Sequence, residues 1–118
     1  MSNNYNKIIL MGRLTRDPET QTVPSGSTIT KFGLAVNREW SDNGVKKEEV
    51  LFVDVGYWGK RGEVIAQYLK KGDPILVEGR LALSQWTDDA GNKHSKHGVI
   101  GESFSFVGGG RRDGDAAF

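Results

Sequence analysis

The stretch VLFVDVGYWGKRGEVIAQYLKKGDPILVEGRL occupies residues 50–81 and changes its period twice. From Val50 to Trp58 the pattern repeats every second residue. Leu51, Val53, Val55 and Tyr57 share one face, and Phe52, Asp54, Gly56 and Trp58 share the other. A period of two is that of a strand with one buried side. From Arg61 to Lys71 the spacing lengthens: Val64 with Tyr68, and Ile65 with Leu69, stand four apart, as in an apolar helical stripe. Lys70 and Lys71 fall in the last predicted turn, where cations suit the helix dipole, and Gly72 is placed to cap it in the left-handed conformation. Pro74 then opens a further strand, a position that needs no ladder donor. That strand runs to Trp86 with Ile75, Val77, Leu81 and Leu83 on one predicted face.

Outward from this segment the chain reads as strands and turns. Asn6 to Leu14 places Ile8, Leu10 and Leu14 on one side, and Lys7, Ile9, Met11 and Arg13 on the other. Thr28 to Asn37 alternates through Phe32, Leu34 and Val36, and a last strand runs from about Ser95 to Val107. Pro24-Ser25-Gly26, Asp42-Asn43-Gly44, Gly72-Asp73-Pro74 and Asp88-Asp89-Ala90-Gly91-Asn92 have turn composition. Five strands with a helix between the third and fourth predict an all-β chain with one helix, arranged as a five-stranded OB-fold barrel. An SH3-like barrel or an open α+β sheet is also compatible with this periodicity. The barrel domain is expected over residues 1–107. Residues 108–118, a Gly-rich stretch ending in Phe118, read as a short flexible tail.

Composition narrows the function. The chain has 118 residues, the size of one domain. Sixteen Lys and Arg face 15 Asp and Glu for a net charge of +1, so no broad basic field can attract a polyanion. The absence of cysteine excludes disulfides and thiolate metal sites. The polar opening Met-Ser-Asn-Asn-Tyr-Asn-Lys resembles neither a secretion signal nor a transit peptide, and no segment is apolar enough to span a bilayer. A cytoplasmic location without membrane association is expected, with no cofactor.

The phase of the aromatics carries the sharpest functional clue. Phe52 and Trp58 alternate with Asp54 and Gly56, and an unpaired Asp is seldom buried, so that face is expected to see water. Trp86 falls in phase with Glu78, Arg80 and Ser84, a second wet face. Exposed aromatics beside cations suit single-stranded nucleic acid. Every base offers a π-face, and stacking is worth about 1–3 kcal/mol per base whatever the sequence. Aromatics in strands also serve cores and subunit interfaces; the same phase recurring in two strands favours binding. Trp40 continues the parity of Phe32, Leu34 and Val36, so alternation points it inward. Lys7, Arg13, Arg16, Lys31, Arg38, Lys60 and Arg80 are the candidate phosphate contacts, although solvated cations are common.

Other chemistries find little support. His94 and His97, three apart in a strand, face opposite ways and lack partners for a metal site. Asp88 and Asp89 read as turn residues. Asp54, Glu78 and Arg80 on neighbouring strands are the one set that nuclease chemistry could use, but such charges form ordinary pairs. No enzymatic activity is expected.

Three segments in order resemble the bacterial-type single-stranded DNA-binding proteins: NKIILMGRLTRDPE (residues 6–19), FVDVGYWGKRGEVIAQYLKKGDPILVEGRL (residues 52–81) and QWTDDAGNK (residues 85–93). The resemblance implies an OB-fold, assembly as a homotetramer, and binding of single-stranded DNA in replication, recombination and repair, hence nucleoid association. It implies base stacking on Trp40, Phe52, Trp58 and Trp86. The second and third of these have their Trp and Phe exchanged relative to many members, and both remain aromatic. Members of the family typically carry a long linker and an acidic tip ending in Ile-Pro-Phe. Here the end is Asp113-Gly114-Asp115-Ala116-Ala117-Phe118. Asp113, Asp115 and Phe118 are therefore the candidates for docking replication and repair proteins. An alternative function is an OB-fold protein-interaction module of a replication-restart complex, its aromatics contacting protein instead of bases.

Overall fold

The strand β1 (Ile8–Leu14) pairs with two neighbours at once, and this closes the sheet. The computed structural model describes residues 3–107. After β1 come β2 (Glu19–Thr22), β3 (Thr28–Asp42), β4 (Val45–Trp58), the helix α1 (Lys60–Tyr68), β5 (Pro74–Thr87) and β6 (Lys93–Phe106). Ile8 to Arg13 pair antiparallel with β5, and Arg13 and Leu14 also pair with Ala35 and Leu34 of β3. The circuit continues through β3–β4, a parallel β4–β6 contact from Val55 to Tyr57, and antiparallel β6–β5. The result is a closed five-stranded barrel with one helix. The short β2 lies outside it, paired with β3.

The interior follows the alternation. Leu14, Phe32, Leu34, Val55, Ile75, Val77 and Val99 point inward and are buried. Tyr57 is the polar member of this core. Its ring stacks on Phe32 at 6.3 Å and meets Phe104 edge-on at 5.5 Å. Its hydroxyl donates to the Ser103 carbonyl, and burial pushes the phenol above its ordinary value. Glycine at 101 makes room for this ring, because a Cβ there would lie 2.1 Å from Tyr57 Cζ. Helix α1 covers the barrel through Ile65 and the following Leu69, both buried in the core cluster. Glu63 in its first turn accepts a 2.8 Å bond from Thr28 Oγ1, anchoring the helix to β3.

Several boundaries differ from the sequence reading. The helix ends at Tyr68, and Leu69 is already extended (φ −117°). Lys70 and Lys71 therefore lie beyond the helix. Gly72 (φ +93°) belongs to the following turn, in which the Asp73 N–H reaches the Lys70 carbonyl. Leu69 keeps its N–H bond to the Ile65 carbonyl at 2.9 Å and buries its side chain in the core. β2 is an additional strand, so the helix falls between β4 and β5 in chain order. Its four exposed residues carry no hydrophobic alternation to signal it.

Two hairpins also project further than alternation suggests. β3 and β4 pair continuously out to Asp42 and Val45. The two-residue turn Asn43-Gly44 has both φ values positive (53° and 83°), which matches the strands' twist. Past Asn37 this arm is polar apart from Trp40 and Val45, and pairs through Arg38–Glu49 (3.6 Å) and Lys46–Glu39 (3.5 Å). β5 and β6 form the second arm. The pairing of β1 with β5 ends at Gly79, so Leu81 and Leu83, in phase with buried Ile75 and Val77, are exposed. Leu51 is exposed for a similar reason, opposite Val36 where the β3–β4 arm leaves the barrel.

Candidate nucleic-acid interface

On the outward side of β3 and β4 the register sets Ile29 against Trp58, Lys31 against Gly56, Gly33 against Asp54 and Ala35 against Phe52. Gly33, Ala35 and Gly56, with Lys31 and Asp54 among them, thus form the floor, with an aromatic at each end. Phe52 is 70% exposed and Trp58 49%. Trp58 lines a recess with Gly26, Thr28, Gly59 and Lys60, which puts a cation beside the indole. At the middle, Thr15 and Arg16 lie directly over Gly33. A Cβ on Gly33 would come within 2.2 Å of Thr15 Oγ1 and 2.8 Å of Arg16 Nη1. The absent side chain is what lets the loop after β1 bring Arg16 onto this face.

Asp54 sits between cations. It accepts a hydrogen bond from Lys96 Nζ of β6, and Arg16 Nη1 lies 3.7 Å from its other oxygen. The Lys96 hydrogen bond, with the attraction of Lys96 and Arg16, holds its carboxyl below the ordinary value against a partial desolvation cost. A groove follows from Phe52 past Thr15, Arg16 and Asp54 to Lys96 and His97. A second opens from Arg16 and Asp54 past Lys31 and Gly56 toward Ile100 and Ser84. These two grooves connect β3, β4, β5 and β6 across one side of the barrel.

Trp86 stands apart, near the tip of the β5–β6 arm, and is 49% exposed. His94, directly opposite it, stacks on the indole at 5.4 Å with an interplanar angle of 20°. His94 Nε2 is in turn 2.7 Å from Asp88 Oδ2. Asp88 also accepts the N–H groups of Ala90 and Asn92, so it builds the turn as expected and fixes the imidazole as well. The bond to His94, followed by that to Asn92, lowers the Asp88 carboxyl. Trp40 is half-buried on the β3–β4 arm. The register puts it on the side of Arg38, Lys47 and Glu49, opposite to Phe52 and Trp58. Arg38 lies over its ring at 4.9 Å.

The seven basic candidates scatter accordingly. Arg16 and Lys31 line the grooves, and Lys60 adjoins Trp58. Arg38 is shared between Trp40 and Glu49. Arg80 pairs with Glu102 at 3.0 Å, and Glu102 is the residue at which the β5–β6 register slips. Arg13 donates to the Gly72 carbonyl at 3.0 Å, and Lys7 precedes β1, exposed. Asp113, Asp115 and Phe118 lie outside the described residues. Asp54, Glu78 and Arg80 do not converge: Asp54 engages Lys96 and Arg16, Glu78 accepts from Ser103, and Arg80 holds Glu102. Among the described residues no group of three His, Asp or Glu is placed to hold a metal ion.

Two participants escaped the sequence reading. Lys96 is not among the basic candidates, because only the parallel β4–β6 contact sets it beside Asp54. His94 could have been found by pairing Trp86 with its hairpin partner across the turn, since register follows from turn length.

A closed barrel with one β-edge helix and a parallel contact between its third and fifth barrel strands is an OB-fold, and this one presents aromatic rings on its open face. Residues 5–107 match the model of the single-strand binding protein family, and the chain belongs to that family. It is 51% identical over 104 residues to the single-stranded DNA-binding protein of Wolinella succinogenes, and 47% identical over 104 residues to that of Helicobacter hepaticus. Each alignment covers 87% of this chain but only 64% and 61% of the relative, so the chain spans less than two thirds of those proteins' length. The solved complex of Plasmodium falciparum SSB with ssDNA has the same fold. Its TM-score is 0.82 at 23% identity, covering 91% of this chain and 98% of that one. No helix among the described residues is long and apolar enough to cross a membrane.

Proposed function

We propose that this chain binds single-stranded DNA without sequence preference and without turnover, protecting it in replication, recombination and repair. The observation that carries this reading is the β3–β4 face, where Phe52 and Trp58 stand exposed at either end of a floor of small and charged residues. Bases stack on these two rings, on the open face of Trp86 and on Trp40. The phosphates follow Arg16, Lys31 and Lys60, with Lys7, Arg13, Arg38 and Arg80 as outlying contacts. A paired strand hides its base faces, so a stacking surface selects unpaired DNA.

Assembly into a homotetramer belongs to the same proposal. Ile9 and Met11 are exposed together on the outward side of β1, with Tyr5 just before them, an apolar strip suited to a second copy. Docking of replication and repair proteins through Asp113, Asp115 and Phe118, and a cytoplasmic, nucleoid-associated location, complete it. The test is titration with oligo(dT) followed by tryptophan fluorescence across salt. Stacking quenches the indoles, and rising salt weakens the effect. Absence of quenching, or equal affinity for duplex DNA, would refute the reading. Sedimentation or light scattering decides the assembly.

A further inference from the structure

We propose that Asp54 is a built-in competitor of the DNA phosphates, a counter-ion that holds Lys96 and Arg16 until a bound strand displaces it. This inference rests on the proposed function of the same face. Asp54 stands at the centre of that face, between Phe52 and Gly56, where a polyanion is to lie. Its carboxylate accepts from Lys96 Nζ and faces Arg16 Nη1 at 3.7 Å. It also borders both grooves, and Lys31 lines one of them with it. Two of the cations nearest the stacking floor are thus already neutralised from within the protein.

Folding stability alone does not account for this arrangement. Asp54, Arg16 and Lys96 have side chains 46%, 49% and 59% exposed, and ion pairs so open to water contribute little to folding. On binding the effect is direct. A phosphate reaching Lys96 competes with the carboxylate for the ammonium's charge, and a phosphate near Asp54 is repelled by it. Asp54 therefore lowers affinity and shallows the salt dependence, so that a bound strand exchanges more readily.

The experiment compares the full chain with Asp54→Asn, Lys96→Met and the double variant, titrated with oligo(dT) at several salt concentrations. Asp54→Asn is expected to bind about two- to fivefold more tightly at 0.1 M salt, the scale on which half-exposed ion pairs act. Its plot of log affinity against log salt should steepen by about 0.7, the slope of one phosphate contact on a single strand. Lys96→Met should cost more affinity in the Asp54→Asn background than in the unsubstituted protein, because only there is the ammonium free beforehand. A general change in net charge would raise affinity without this coupling. Unchanged or weaker binding by Asp54→Asn, an unchanged slope, or equal costs of Lys96→Met in both backgrounds would overturn the proposal while leaving the proposed function standing. Failure of the unsubstituted protein to bind oligo(dT) would overturn both.

Discussion

Replacing Phe52 by alanine separates binding from folding more cleanly than any other change on the β3–β4 face. The ring is 70% exposed, so about a third of its surface is covered in the folded chain. For an aromatic side chain of roughly 150–200 Å² that is about 50–60 Å². At roughly 25 cal/mol per Å² the loss to stability is about 1–1.5 kcal/mol, plus a few tenths for β propensity. If the ring carries a stacked base, truncation costs about 1–3 kcal/mol of binding, a loss of roughly five- to 150-fold in affinity. The substitution also leaves Trp40, Trp58 and Trp86 in place, so the fluorescence reporters are intact. The assay is oligo(dT) titration of both proteins at equal salt, with urea unfolding of each. Affinity within twofold of the unsubstituted protein would refute the role of Phe52. So would a stability loss of about 3 kcal/mol or more, which would mean that the ring packs in an interface instead of meeting a base.

Trp58→Ala and Trp86→Ala should each weaken oligo(dT) binding by about 1–3 kcal/mol, measured by polarisation of a labelled strand, since each substitution removes a reporter indole. Gly101→Ala should destabilise the fold by about 1–3 kcal/mol or more in urea unfolding, because its Cβ would lie 2.1 Å from the Tyr57 ring in a packed core. Stability should also fall in acid. Asp54 and Asp88 have folded carboxyls held below the ordinary 3.8, so the unfolded chain takes up protons first as pH falls. Their contribution is therefore complete above the ordinary value and lost as pH drops through the lowered folded values. Urea midpoints measured between pH 6 and pH 3 check this, and Asp54→Asn with Asp88→Asn should flatten the decline. A curve unchanged by the two substitutions would refute the assignment.

Much of the barrel was legible because one buried face imposes a strict period of two. Val53, Val55 and Tyr57 could be assigned inward, and Phe52 and Trp58 outward, from alternation around Asp54 alone. The arms were not legible from the same signal. Between Arg38 and Lys47, alternation of apolar residues stops while pairing continues, sustained by the Asn43-Gly44 turn and cross-strand ion pairs. Leu81 and Leu83 show the reverse error: their alternation persists beyond the barrel, where no core receives them. For Trp40, parity gave the correct side of the ribbon, yet on an arm that side is not an interior.

What the residues alone determined is which side chains can share a face, since that depends only on strand geometry and a run of consecutive positions. They also determined the helix after β4, because an i,i+4 stripe has no place in a strand. Only the tertiary structure decided which faces meet. Asp54, Lys96 and Arg16 come from three separate segments, and closure of the barrel through the parallel β4–β6 contact, with Gly33 leaving room for the loop after β1, brings their charges together. Such long-range contacts leave no local periodicity, so the electrostatics of the face became visible only once the sheet had closed.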